Sequence, residues 1–178
     1  MKNVLALIAL CVTVSFQTTQ AQDFPDMDKS PMDIAMLRGD NNQALIRVIY
    51  SRPQKKDREI FGKLVPYGKI WRTGANEATE ITFYVDMMLN DSKIEAGTYS
   101  LYTIPGEKEW TVILNKTTNR WGTSGYSQEQ DAVRINAPAR TSPATIESFS
   151  IAFKPTDNGA HLMMGWDDTF IQVPFKKA

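Results

Sequence analysis

One cysteine and one histidine in 178 residues remove whole classes of chemistry before any motif is sought. A single imidazole, His161, cannot build the multi-histidine zinc sites of hydrolases, so a metal would have to lean on carboxylates such as Asp131, Asp167 and Asp168. The Asp167-Asp168 pair reads more simply as a turn, and neither a metal nor another cofactor is expected. Also missing are the Gly-x-Ser-x-Gly elbow, the Gly-x-x-x-x-Gly-Lys-Ser/Thr loop and the Gly-x-Gly-x-x-Gly strand-to-helix unit. Their absence argues against a serine esterase, a nucleotide hydrolase and a dinucleotide enzyme. Nor is there a basic excess, since 20 Lys/Arg face 20 Asp/Glu; nothing here suggests a nucleic-acid partner or an anionic membrane surface.

Long apolar runs are equally scarce. The one that stands out, Val4 to Phe16, follows Lys2 and precedes Thr19-Gln20-Ala21, the pattern of a secretory signal cleaved after Ala21. It is shorter than the roughly 20 apolar residues of a membrane span. Lipidation at Cys11 is disfavoured because the bulky Leu10 stands where a small residue belongs. Residues 1–21 are therefore read as a signal peptide and the protein as exported, to the periplasm or the extracellular space. Cys11 leaves with the signal, so the exported span has no disulfide and no thiol nucleophile and must rely on its core. Gln22 to Ala178 keeps 157 residues, with 19 basic against 20 acidic, a usual size for one domain.

What the chain has in quantity is alternation. Ala44-Ile46-Val48-Tyr50, Ile81-Phe83-Val85, Tyr99-Leu101-Thr103, Trp110-Val112-Leu114, Val133-Ile135, Phe149-Ile151-Phe153, Leu162-Met164-Trp166 and Ile171-Val173-Phe175 each place one face inward. Turn signals separate them: Ala96-Gly97, Asp157-Asn158-Gly159, and Asp167-Asp168 between the last two runs. No stretch after the signal has a convincing helical period. The pattern predicts an all-β fold, an antiparallel β-sandwich (jelly-roll-like) of about eight or nine strands with two long loops, a closed barrel being the alternative. An irregular lead-in over 22–31 precedes a single sandwich domain over 32–178. By parity Phe153 points inward and Ser150 to a wet face.

The two long connections run from Arg52 to Ala78 and from Asn115 to Gln130, and irregular backbone of that length tends to carry function. Together they can shape a groove at one end of the sandwich. The first holds Arg52, Arg58, Arg72, Asn76 and Glu77, whose guanidinium forks suit carboxylate, phosphate or vicinal hydroxyls. The bland reading of the same residues is a clamp in which Arg72 pairs with Glu77 to tie the loop down. Trp71, Trp121, Tyr67 and Tyr126 lie in the connections, where exposed rings stack on sugars or cations and buried ones plug the sandwich end. Trp110 and Trp166 are core. Glu77 and Asp131 form a candidate carboxylate pair if they come within about 5–10 Å of each other.

Tyr50-Ser51-Arg52-Pro53, Arg58 with Ile60-Phe61-Gly62, Leu64-Val65-Pro66-Tyr67-Gly68 and Trp71-Arg72-Thr73-Gly74-Ala75-Asn76-Glu77-Ala78-Thr79 resemble the signature blocks of domain of unknown function 2911, an uncharacterised family of exported bacterial proteins. The likeness continues through Ala96 to Leu101, Ile104-Pro105, Trp110 to Asn115, Tyr126, Asp131 and Trp166. Asp57 departs from it, where the family tends to have glycine. The resemblance implies an exported single domain and carries no activity, ligand or catalytic residue. The residues therefore lead to noncatalytic binding of a small molecule, glycan or protein segment at the loop-covered end, through Arg52, Arg58, Trp71, Arg72, Asn76, Glu77, Trp121 and Tyr126. The alternatives are a metal-independent hydrolase of glycans or envelope material, and a purely structural envelope module.

Overall fold

The computed structural model describes residues 23–178, so the signal reading and Cys11 lie outside the described residues. Two antiparallel sheets face each other around one core. The first has six strands: β1 (Met32–Arg38), β2 (Ala44–Ser51), β3 (Glu80–Phe83), β6 (Gly97–Ile104), β7 (Glu109–Asn115) and β8 (Asp131–Pro138), in that spatial order. The second has four, in the order β5 (Ser92–Ile94), β4 (Met87–Leu89), β10 (Gly159–Lys177) and β9 (Arg140–Thr156). The arrangement is an open sandwich and not a closed barrel. Neighbours in the larger sheet are nearly all consecutive in the chain, so it is a meander from which the β4–β5 hairpin departs to the other sheet.

The alternating runs do form strands, with two differences that have local causes. Asp167-Asp168 does not separate two strands. Asp167 adopts a left-handed backbone (φ 57°) and the β9–β10 register shifts on either side of it, so the pair makes a bulge inside one 19-residue strand. Three strands are additional: β4 and β5, each of three residues, are too short to show a period, and β1 carries the mixed sequence Met-Asp-Ile-Ala-Met-Leu-Arg.

The inner faces meet in one apolar cluster that includes Ile46, Val48, Phe83, Trp110, Phe149, Leu162 and Trp166. At about 25 cal/mol per Å² of apolar area removed from water, such a core is the main stabilising term of a domain without disulfides. Phe153 is half-buried against this core, as its parity implies. Ser150 is not on a wet face: it is half-buried, accepts a 2.8 Å bond from Arg52 Nη2 and donates to the Ser148 carbonyl at 2.8 Å. A second, smaller cluster of Ala78, Tyr102 and Ile113, with Ile70, Ile104 and Tyr126 against it, lies on the outer face of the six-stranded sheet. Tyr102 and Ile104 have the opposite parity to Leu101 and Thr103 on β6, so both faces of this strand are apolar and both are covered. The covering material is the two long connections.

One side of the sandwich is stitched by polar groups. After β2 the chain crosses to the smaller sheet and runs beside β9, with Phe149 N donating to Pro53 O (2.9 Å) and Lys55 N to Glu147 O (2.6 Å). Arg52 Nη1 reaches Asp33 Oδ2 at 2.9 Å, while its Nε donates to the Phe149 carbonyl at 3.2 Å. The Tyr50 hydroxyl accepts from Ile151 N at 3.0 Å and donates to Ile151 O at 3.3 Å. Arg52 and Tyr50 thereby tie β1 and β2 to β9.

Candidate functional site

Residues Trp71 to Thr79 follow one line along β6 and leave it in the middle. Trp71 pairs with Thr103 in both directions (2.7 and 3.0 Å), and Leu101 N donates to Thr79 O at 2.7 Å. Between these anchors Arg72–Ala78 is thrown outward as a loop closed by Thr79 N to Arg72 O at 3.1 Å. Turning the chain so tightly requires unusual backbone. Thr73 (φ 55°) and Asn76 (φ 58°) are left-handed, which for a β-branched threonine is a strained conformation costing about 1–3 kcal/mol.

The surroundings hold that strain in place. Thr73 is fully buried, its hydroxyl 3.1 Å from the Thr103 hydroxyl and its carbonyl accepting from Thr79 Oγ1 at 2.7 Å. Gly74 is obligatory, because a Cβ there would come within 2.9 Å of the Ser51 carbonyl. The second connection closes the outer side: Ala78 N donates to Arg120 O at 2.8 Å, and Gly122 N to Asn76 O at 3.0 Å. The two connections therefore meet, and the loop is locked between β6 and residues 120–122.

Beside this loop lies a cavity of about 440 Å³, within the usual range for small-molecule sites. Its walls are Ser30 from the lead-in, Pro53, Arg58, Leu64, Val65, Pro66, Lys69, Ile70, Trp71, Arg72, Gly74, Ala75 and Asn76 from the first connection, Thr123 from the second, and Trp166 from β10. Of the eight residues singled out in the sequence, it gathers Arg58, Trp71, Arg72 and Asn76. Lys69, Thr123 and Ser30 went unnoticed, being ordinary surface residues in a linear reading.

The other four lie elsewhere. Arg52 is consumed in the stitch to β9 and Asp33. Glu77 borders a different depression with Glu80, Asn119 and Arg120, and among the described residues it makes no ion pair with Arg72. Arg72 and Glu77 border different depressions, and the Arg72–Glu77 clamp does not form. Trp121 is 66% exposed and bridges Glu77 through the backbone, away from the cavity. Tyr126 packs edge-on against Tyr102 and donates to Asp131 Oδ2 at 2.9 Å.

Asp131 is fully engaged. Its Oδ1 accepts from Asn115 Nδ2 at 2.7 Å, and its Oδ2 from Tyr126 and from Arg134 Nη1, the latter at 2.7 Å. Burial, reinforced by this carboxylate, pushes the Tyr126 hydroxyl above its usual range, and the bond to Asp131 raises Arg134. The network braces the second connection and leaves Asp131 no free oxygen for partnership with Glu77.

Trp71 is 9% exposed, and its ring is surrounded: it stacks on Trp166 (6.1 Å, 15° between planes) and makes edge contacts with Phe61, Trp110 and Phe149. Its indole Nε1 donates to Gly74 O at 3.0 Å. The ring is a plug at the cavity floor and offers no free stacking face.

Arg72 is the anomaly of the wall. Its Nε is buried without an acceptor, and no carboxylate lies within ion-pair distance among the described residues. Gly122 (φ 62°) sits against it, where a Cβ would stand 3.3 Å from Nη1. Three cations, Arg58, Lys69 and Arg72, line the cavity with no Asp or Glu among the lining residues. Nearby acids gather instead around Tyr67, whose hydroxyl is raised by partial burial and then by Glu107, Asp168 and Glu59.

A family model described as a protein of unknown function (DUF2911) matches residues 30–175. The chain belongs to this family. The match spans every residue of the cavity wall, from Ser30 to Trp166. No curated protein and no solved structure matches the chain.

Proposed function

We propose that this member of the family is an exported, noncatalytic binding domain that takes a small molecule in the cavity beside the Arg72–Ala78 loop. The observation that carries this reading is the loop itself: a strained excursion, braced by hydrogen bonds to β6 and to residues 120–122, that forms one wall of an open cavity. Strain of this kind persists where the surroundings over-determine it, and it concentrates at functional sites. Export rests on the N-terminal signal pattern alone.

The hydrolytic alternative draws less support, since both oxygens of Asp131 are committed to structure and Glu77 faces another depression. A purely structural role leaves the cavity and the unpaired Arg72 without purpose.

A ligand-observed NMR screen of mixed fragments against the protein, repeated with Thr123→Trp to fill the cavity, tests the reading. Hits abolished by Thr123→Trp, in a variant that retains its melting temperature, are the expected outcome. A screen with no hits, or hits indifferent to Thr123→Trp, rejects the cavity as the site.

A further inference from the structure

We infer that the ligand is a small anion, a carboxylate or phosphate group on a compact apolar body, with Arg72 as its principal counter-charge; this rests on the binding-domain reading and names the ligand class of the same site. Four buried polar atoms lack partners among the described residues: Arg47 Nε, Arg72 Nε, the Tyr102 hydroxyl and Trp110 Nε1. Tyr102 and Trp110 are neutral, and Arg47 lies over the Tyr84 ring at 5.8 Å. Arg72 alone is both charged and without compensation, and it alone belongs to the cavity wall.

A half-buried guanidinium with no counter-charge is costly to the folded protein, and an oxyanion relieves that cost in a way a neutral ligand does not. The planar fork of arginine matches the two oxygens of a carboxylate or phosphate. Arg58 and Lys69 add charge of the same sign, and a concave site walled by cations concentrates anions. One carboxylate stands outside the wall and is already engaged: Asp28 Oδ1 accepts from Asn76 Nδ2 at 3.1 Å and from Ser30 N at 2.6 Å. Leu64, Val65, Pro66 and Ile70 supply the apolar wall for the rest of the ligand.

A neutral glycan fits less well. Sugar sites use open aromatic faces and carboxylate acceptors; here the faces of Trp71 are occupied, Trp121 stands outside, and the wall holds no acid.

The test is titration calorimetry of the protein with phenyl phosphate, benzoate and neutral phenyl β-glucoside, alone and with Arg72→Gln. Saturable binding of either anion, weakened about tenfold or more in Arg72→Gln and weaker at high salt, is expected, and the better anion identifies the head group. If Arg72→Gln does not fold, Arg72→Lys replaces it, keeping the charge while losing the fork, and weaker anion binding is again expected. Glucoside binding as tight as that of the anions, or anion binding indifferent to both variants, overturns the inference. If neutral fragments bind in a manner blocked by Thr123→Trp while both anions fail, the ligand class is wrong and the binding domain stands. If nothing binds, both fall.

Discussion

Arg52 and Arg72 stand 20 residues apart in one signature stretch and occupy opposite circumstances. Arg52 has a partner on each nitrogen that reaches the seam: Asp33, the Phe149 carbonyl and the Ser150 hydroxyl, at 2.8–3.2 Å. Arg72, on the cavity wall, has none among the described residues. The seam is a place where the chain uses charge to hold two sheet edges together, and every polar group there finds its complement inside the protein. The cavity holds its backbone just as firmly, through Thr73, Gly74 and Thr79, but leaves its charge without a partner. Satisfied charge is what a scaffold shows, and rigid backbone around unsatisfied charge is what the proposed binding role rests on.

The largest expected effect lies at the seam. Arg52→Ala removes three hydrogen bonds, one of which is the ion pair to Asp33. Both side chains are more than a third exposed, 35% and 43%, so solvent screens the pair. The loss should amount to about 1–3 kcal/mol, read as a shift in the denaturant midpoint. Ser150→Ala, which takes away one of those partners, should follow in the same direction with a smaller shift. Midpoints unchanged in both would mean the seam is decorative.

The next effect is a pH dependence. Burial raises the Tyr50 hydroxyl above its ordinary value of 10.0, with the bond to Ile151 and the Arg52 charge acting the other way. A raised folded-state value favours the neutral form in the folded protein, so this contribution is complete below about pH 10 and is lost as pH rises through the raised value. Denaturation midpoints measured from pH 8 to 12 should therefore fall above pH 10. Tyr50→Phe, which has no hydroxyl to ionise, should show a shallower fall. An equal slope in both proteins would place the titration at other tyrosines, since Tyr102 and Tyr126 are raised by burial as well.

The smallest expected effect sharpens the contrast. Arg72→Gln should leave stability unchanged or raise it slightly, by less than about 1 kcal/mol, because no internal bond to its guanidinium is lost and an uncompensated charge is removed. A loss as large as that of Arg52→Ala would show that Arg72 is scaffold after all and erase the distinction between the two regions.

Much of the fold was legible because a strand with one wet face announces itself by alternation. The exceptions follow the same logic. β6 buries both parities under the connections, β4 and β5 are too short for a period, and the Asp167 bulge has the composition of a turn while the ladder continues past it. At the site, residue types were informative and grouping was not. Arg72, Asn76 and Trp71 stood out, yet so did Glu77, Trp121 and Tyr126, which the loop directs elsewhere.

The sequence by itself determined the all-β strand pattern, the lack of a multi-histidine site, and the stretch in which unusual residues concentrate, because these depend on local period and composition. Only the tertiary structure decided which arginine is spent and which is free. Whether a charge is satisfied depends on partners about 20 to 100 positions away, such as Asp33, Phe149 and Ser150 for Arg52, and nothing local encodes that closeness.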